Sequence, residues 1–240
     1  MTEIEFNKYK IRGPSYHWDQ VSKSIRKRNL FVVARYQLLD KLIGDEIYKK
    51  KVLDVGCGDG VLSYLLAERG AVISGIDNSK EAIITASEKC KQFDNIKFIE
   101  SSVYELPFDE MSFDYVVSSD VIEHLKDPDK MLSEIKRVWN RRGKIIITSP
   151  IKYTEIPLDK MHYKEFFEEE FVKILEKYFD EIRIVKSHPL FWFELQNRQI
   201  FGRSFIKLLL NLLNLLFSFN PFMNVGGWRY YTLQTAEISR

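Results

Sequence analysis

The sequence VLDVGCGDG, residues 52–60, places three glycines at alternate positions directly after an apolar run that contains one acid. Glycine loses more backbone freedom on folding than any other residue, so such a run is costly unless the backbone itself is needed. If 51–55 is a strand, Gly56 and Gly58 follow its carboxyl end, where ligands bind in open α/β sheets. There they can adopt turn conformations closed to other residues and let a ligand touch the main chain. We therefore predict a ligand site at this turn, with a purely structural tight turn as the alternative.

Short β-branched runs alternate with helical patterns along most of the chain, which is typical of βαβ units and a mainly parallel sheet. The pattern predicts an α/β fold with an N-terminal helical extension (1–45), a core (46–190), an apolar helical insertion (191–225) and a last strand that completes the sheet (226–240). Strands are predicted at 51–55, 72–77, 96–101, 115–119, 144–149, 181–186 and 228–238, and helices at 21–43, 61–69, 79–92, 128–139 and 164–178.

The composition of the 240 residues, 45% apolar and 29% charged, indicates neither disorder nor a membrane bundle. The net charge of +2 argues against nucleic acid as a partner, and we interpret the basic run at 23–28 as a solvated helix face, with a polyanion site as the alternative. Cys57 and Cys90 have no disulfide or zinc spacing, and the charged first ten residues lack a signal-peptide pattern. These features predict a cytoplasmic protein.

The segment FIKLLLNLLNLLFSF, residues 205–219, is apolar except for Lys207, Asn211, Asn214 and Ser218. On a helix these four polar residues form one narrow stripe. A helix that is apolar almost all round is normally buried, so we predict that this one packs against the domain or forms a homodimer with a second copy of the chain. Peripheral contact with a membrane is the alternative, although such helices usually carry a strongly charged face.

Two acids accompany the glycine run. Asp54 lies inside the first predicted strand, and Asp77 ends the second. A carboxylate at that second strand end can accept hydrogen bonds from both hydroxyls of a ribose. Dinucleotide sites usually read G-x-G-x-x-G, whereas here the third glycine comes one position early and Asp54 adds negative charge. A nucleoside cofactor with a positive centre and an amino group suits this field, and S-adenosylmethionine has both.

Five segments in order resemble the class I S-adenosylmethionine-dependent methyltransferases, most closely the small-molecule branch that includes ubiquinone-biosynthesis O-methyltransferases. They are VLDVGCGDG (52–60), GIDNS (75–79), LPFDEMSFDYVVSSDVIEHL (106–125), EIKRVW (134–139) and GKIIITSP (143–150). The resemblance implies a Rossmann-like, seven-stranded, mostly parallel sheet with an antiparallel last strand and helices on both faces. It also implies O-methylation of a small or lipid-linked acceptor. A nicotinamide-dependent oxidoreductase and a non-catalytic protein of the same fold are the alternatives.

The resemblance also assigns roles to residues of the cofactor site. Gly56, Cys57 and Gly58 would line the methionine part, with Asp54 near its amino group. Asp77 would hold the ribose and Asn78 would lie beside the adenine. Ser102, followed by Val103, occupies the place where the family often has an Asp that contacts the adenine. The remaining predicted cofactor residues are Gly60 in the glycine run and Ser119 after the fourth strand.

Three residues are candidates for the chemistry of transfer. His124 is the first candidate for a general base, because the unperturbed pKa of histidine lies near neutrality. His162 is the second, and Asp120 should sit near the cofactor. Asp120, Glu123 and His124 could alternatively hold a divalent metal, as the resemblance to some ubiquinone-pathway members implies, although we predict a site without one. Residues 16–18, Tyr-His-Trp, would either close over the cofactor or anchor the N-terminal helix.

Overall fold

A computed structural model describes residues 8–153, 159, 161–197, 205–223 and 227–240. Within these residues, seven strands form one sheet in the order β3-β2-β1-β4-β5-β7-β6. Strands β1 to β6 are parallel, and β7 runs antiparallel between β5 and β6. The strands are β1 Lys51–Val55, β2 Val72–Asp77, β3 Ile96–Glu100, β4 Tyr115–Ser119, β5 Ile145–Pro150, β6 Glu181–Pro189 and β7 Tyr231–Ser239. The predicted fold class and its antiparallel last strand are confirmed.

Helices cover both faces of the sheet because β1 buries side chains on both sides. Leu53 and Val55 join one apolar cluster with α6 and α7, whereas Val52 joins another with α3 and α4. The described helices are α1 Lys8–Arg12, α2 Tyr16–Val21, α3 Leu30–Ile43, α4 Val61–Glu68, α5 Lys80–Lys89, α6 Pro128–Val138, α7 Glu168–Leu175, α8 Leu190–Asn197 and α9 Phe205–Phe217. Among the helices that the structure describes, none combines the length and the apolar character that a membrane span requires.

The prediction of one N-terminal helix over 21–43 is wrong. The aromatic residues at 16–18 lie inside α2, which ends at Val21, and α3 begins only at Leu30. Between them, the Arg28 guanidinium donates to the carbonyl oxygens of Val21 and Ser22, and the Asn29 side chain accepts the Phe31 N–H as the cap of α3. These bonds satisfy backbone groups at both helix ends, so two shorter helices replace a continuous one.

Three further predictions are corrected. Helix α7 starts at Glu168 rather than 164, because Phe166 forms an isolated bridge with Ile151 and keeps the preceding backbone extended. The last strand starts at Tyr231 rather than 228. The third concerns α9, for which packing against the domain was one of two expected arrangements. Most of its leucines are exposed in the single chain, and Asn211 and Asn214 are buried instead. The other expected arrangement, a homodimer, stays a prediction.

Candidate cofactor site

The turn after β1 brings backbone close to other parts of the chain, and this closeness explains two of its glycines. Gly56 and Gly58 have φ of 72° and 55°, in the left-handed region that favours glycine. A Cβ on Gly56 would overlap the Val121 side chain, and one on Gly58 would overlap the Tyr9 hydroxyl. The third glycine, Gly60, is the N-cap of α4 and packs against Ala86. The turn is therefore a main-chain surface that no side chain could line.

Asp77 is held at the end of β2 by the glycine turn. One carboxylate oxygen accepts the Gly58 N–H and the other accepts the Ser79 N–H, both at 2.9 Å. The Cys57 N–H donates to the Ile76 carbonyl at 2.8 Å and joins the turn to β2 directly. Asp77 is buried and lines the cavity, so these two bonds hold its carboxylate where a ligand would contact it.

Asp54 is a buried acid on β1 whose Oδ2 accepts the Ser63 hydroxyl at 2.7 Å. The pKa of Asp54 is raised to about 7, mainly by burial; the hydrogen bonds from Ser63 lower the pKa and the nearby Asp77 carboxylate raises it. The carboxyl group is thus about half protonated near neutral pH without a ligand. A cation placed beside it would stabilise the carboxylate.

The N-terminal helices fold over the glycine turn. The His17 backbone N–H and Nδ1 lie 2.8 and 2.9 Å from the two Asp59 carboxylate oxygens, and Trp18 Nε1 donates to the Asp59 carbonyl at 2.6 Å. Burial, followed by the charges of Asp59 and Asp77, raises the pKa of Tyr9 well above its usual value, so its hydroxyl keeps its proton. The sequence suggested covering and anchoring as alternatives for residues 16–18. Here His17 lines the cavity and Trp18 is anchored to the turn.

On the opposite wall, Asp120 follows β4 with φ of 54° and forms an ion pair with Arg35 of α3. The Thr148 hydroxyl donates to Asp120 Oδ1 at 2.7 Å, and its oxygen accepts the Asp120 N–H at 3.0 Å. Thr148 Oγ1 also lies 3.4 Å from Ser119 Oγ. The Asp120 carboxylate is therefore neutralised by a buried cation and fixed by a hydroxyl.

His124 and His162 lie together at the end of this wall, with ring centroids 4.9 Å apart. His124 Nδ1 is 2.8 Å from the Met161 carbonyl oxygen, which can only accept, so Nδ1 carries the proton and Nε2 is the basic nitrogen of the neutral ring. His162 Nδ1 is 2.7 Å from Glu165 Oε1. Among the described residues, Glu123, His124 and His162 bring ligand atoms within 4.8 Å of one another and could hold a metal ion. His162 rather than Asp120 thus accompanies Glu123 and His124.

One cavity of about 720 Å³ joins these features, a size that suits a small-molecule ligand. Tyr9, His17, Arg35 and Tyr163 line it, and the sequence did not identify Tyr9 or Arg35. Gly60 and His162 do not line it. The predicted site residues that do are Asp54, Gly56, Cys57, Gly58, Asp77, Asn78, Ser102, Val103, Ser119, Asp120 and His124.

For two of these lining residues, the structure restricts the orientation or the reactivity of the side chain. The Ser102 hydroxyl oxygen accepts the Tyr104 N–H at 3.1 Å, so its orientation is set by its own loop. Burial raises the pKa of the Cys57 thiol well above its usual value. Cys57 therefore stays a neutral thiol and is unsuited to act as a nucleophile.

Comparison with known proteins gives one family and several similar proteins. The family described as "Methyltransferase domain" matches residues 48–195. Ubiquinone biosynthesis O-methyltransferase of Coxiella burnetii is 34% identical over 101 residues, which cover 42% of this chain and 43% of that protein. The matched part therefore spans less than half the length of that relative.

Two solved structures resemble nearly the whole chain. Phosphoethanolamine N-methyltransferase 2 of Haemonchus contortus, solved with S-adenosyl-L-methionine, has a TM-score of 0.68 and 21% identity and covers 99% of this chain and 59% of that one. A SAM-dependent methyltransferase of Thermotoga maritima has a TM-score of 0.66 and 13% identity, covering 98% of this chain and 100% of the other. At these identities the likeness is one of fold.

Proposed function

The chain belongs to the methyltransferase-domain family, and from this premise we propose that it methylates an oxygen atom of a small or lipid-linked acceptor. It is a class I enzyme that depends on S-adenosylmethionine, as its family and its fold neighbours are. The observation that carries the proposal is that Asp54, Asp77 and His124 line one cavity beside a main-chain cradle. Such a cavity has groups for the cofactor and a base for the acceptor in the same space.

The residues of the cavity fit the cofactor. Asp77, held in place by the Gly58 and Ser79 N–H groups, would accept hydrogen bonds from the ribose hydroxyls. Asp54 would attract the positive amino group of the methionine part, and the glycine turn would let that part approach the backbone. Asn78, Ser102 and Val103 would border the adenine. When bound, S-adenosylmethionine supplies a methyl group on a sulfonium whose departing thioether needs no proton.

His124 would act as the general base. Its Nδ1–H is committed to the Met161 carbonyl, so the proton of an acceptor hydroxyl would move to Nε2. Asp120 is less suited to take that proton, because Arg35 and Thr148 stabilise it as a carboxylate. It would instead position groups at the wall after β4. His162, paired with Glu165, stays the second candidate for a base.

Methylation at oxygen is supported by the named activity of the Coxiella burnetii relative and by the presence of a histidine base in the cavity. An oxygen nucleophile gains reactivity from deprotonation as it attacks, whereas a neutral amine has less need of a base in that step. Tyr9 and His17, which cover the glycine turn, would also keep water away from the reacting atoms.

Calorimetric titration with S-adenosylmethionine, S-adenosylhomocysteine and NAD tests the cofactor assignment. We expect micromolar affinity, on the order of −8 kcal/mol, for the first two and no heat with NAD. To identify the acceptor, extracts would be incubated with isotopically labelled cofactor and analysed by mass spectrometry. His124→Gln should lower kcat by about 100-fold or more and leave S-adenosylhomocysteine affinity unchanged. An unchanged kcat in His124→Gln together with a large loss in His162→Gln would transfer the role to His162.

A further inference from the structure

Helix α9 presents its apolar side to solvent. Leu212, Leu215, Leu216 and Phe217 are exposed, the last two by 64% and 72%, whereas Asn211 and Asn214 are buried. A helix on the surface of a water-soluble protein normally has the opposite arrangement. The exposed stripe, which we call the leucine face, comprises Phe205, Leu208, Leu209, Leu212, Leu215, Leu216, Phe217 and Phe219.

The inward polar side of α9 is used to attach the helix to the rest of the protein. Asn211 Nδ2 donates to the carbonyl oxygens of Ile25 and Arg28 at 2.8 and 2.9 Å. The Arg28 guanidinium donates to Asn214 Oδ1 at 3.1 and 3.0 Å. These bonds fix the rotation of α9, so the exposure of its leucines is built into the fold.

The same bonds place a basic loop against α9. Residues 22–29 connect α2 to α3, and Lys23, Arg26 and Lys27 in this loop are exposed. The loop contains no acid, and neither does the sequence between Glu194 and Glu237, which includes α9. Lys27 Nζ pairs with the Asp19 carboxylate of α2 at 3.0 Å, so Lys23 and Arg26 supply the positive charge of the loop that holds α9. The basic residues that were expected on a solvated helix face lie instead in this exposed loop.

Aromatic rings extend the leucine face along α8. Phe219 contacts Trp192 at 6.4 Å, Trp192 contacts Phe191 at 5.3 Å, and Phe191 stacks on Trp228 at 5.7 Å between ring centroids. Phe191, Trp228 and Phe219 are exposed. Tryptophan and other aromatic side chains are favoured at the boundary between water and lipid.

We propose that the leucine face is a docking surface for an anionic phospholipid bilayer, with α9 lying in the plane of the interface. An exposed apolar stripe on a helix without acids, held by a basic loop and flanked by aromatic rings, combines the features of an interfacial helix. A second copy of the chain would bring two sets of Lys23 and Arg26 together, and their repulsion disfavours that occupant. The inference does not depend on which acceptor is methylated.

The test is co-sedimentation of the full chain with vesicles of phosphatidylcholine alone and with vesicles that contain about one third phosphatidylglycerol. We expect the protein to bind the anionic vesicles and to be released by salt. Leu212→Glu/Leu216→Glu should weaken the partition coefficient by about 100-fold or more, because two apolar side chains become charged. Lys23→Gln/Arg26→Gln should weaken it about 25-fold, at about fivefold for each charge.

Matched control variants carry similar substitutions away from the leucine face and the basic loop. Ile84→Glu places a charge on an exposed apolar side chain of α5, and Lys97→Gln/Lys136→Gln removes two exposed lysines from β3 and α6. Both should bind vesicles like the wild type. S-adenosylhomocysteine affinity, measured for every variant, confirms that each has folded, and its value in the wild type tests the cofactor site separately.

Three results would overturn the proposal. One is an absence of binding to anionic vesicles by the folded wild type. Another is a concentration-dependent dimer in sedimentation velocity that Leu212→Glu/Leu216→Glu dissociates, with no vesicle binding, which would assign the leucine face to a second copy. Equal binding to neutral and anionic vesicles would also contradict it, since the basic loop would then contribute nothing.

Discussion

Replacement of Asp54 by Asn should stabilise the cofactor-free protein at alkaline pH. Burial raises the pKa of Asp54 from 3.8 to about 7 in the folded state. The folded protein therefore keeps a proton that the unfolded chain releases between about pH 4 and pH 7, and the free energy of unfolding falls as pH rises through that window. A difference of about three pKa units corresponds to about 4 kcal/mol above pH 7. An amide at this position carries no charge, and its oxygen can still accept the Ser63 hydroxyl.

The measurement is urea unfolding of wild type and Asp54→Asn at about pH 4, 6 and 8. We expect equal stability, to within about 1 kcal/mol, at pH 4 and an advantage of up to about 4 kcal/mol for the variant at pH 8. Asp59→Asn is the matched control, because Asp59 is a buried acid in the same turn whose carboxylate holds His17. That variant should lose stability.

Asp54→Asn should weaken cofactor binding, although it stabilises the cofactor-free protein. If the amino group of S-adenosylmethionine binds Asp54, binding near pH 7 holds the carboxylate ionised and releases a fraction of a proton. Calorimetry in buffers of different ionisation enthalpy measures that fraction. Asp54→Asn should release none and bind the cofactor more weakly. The reasoning fails if the variant is no more stable than the wild type at pH 8, since Asp54 would then ionise in the folded protein as easily as in water.

Three further predictions concern other buried groups. Gly58→Ala should lower S-adenosylhomocysteine affinity at least tenfold in a calorimetric titration, because the added Cβ would displace the Tyr9 hydroxyl. Unchanged affinity would show that Tyr9 can move aside without disturbing the cofactor site. Burial lowers the pKa of His188 from 6.5 to about 3, so its stability contribution is complete above pH 6.5 and is lost as pH falls toward 3. The loss, about 5 kcal/mol, should be absent in acid titrations of His188→Gln. Arg35→Met should cost about 3–5 kcal/mol in urea unfolding by leaving Asp120 unpaired, and Arg35→Met/Asp120→Asn should recover most of it; additive losses would contradict the pairing.

The positions of the strands along the chain could be predicted from sequence because each strand is encoded locally by a short β-branched run. The glycine turn and Asp77 were also identified, since the end of each strand in a parallel sheet places its next residues at the ligand edge. The break between α2 and α3 could not be identified in this way. It depends on Arg28, which binds both the end of α2 and Asn214, 186 residues later in the chain.

The cavity residues that could not be predicted from the sequence come from segments far along the chain from the residues they contact. Tyr9 reaches Gly58, and Arg35 pairs with Asp120, 85 residues away. A tyrosine near the N-terminus and an arginine inside a largely buried helix have no local pattern that assigns them to a site. Asp59 is a local signal of this contact, because a buried acid inside a glycine turn needs hydrogen-bond donors from elsewhere in the chain. In the structure, His17 and Trp18 supply the donors and so attach the N-terminal helices to the turn.

Helix α3 connects the cavity to the leucine face. Leu30 and Ala34 pack with Leu210 and Phe222 on the side of α9, whereas Arg35 extends into the cavity wall. Residues at i and i+4 share one face of a helix, and the next residue along is turned by about 100°, so a single helix contributes to both surfaces without sharing a side chain between them. Charges introduced on the outward leucines of α9 therefore leave the packing against α3 intact, and for this reason membrane binding and cofactor binding can be measured independently in the same variants.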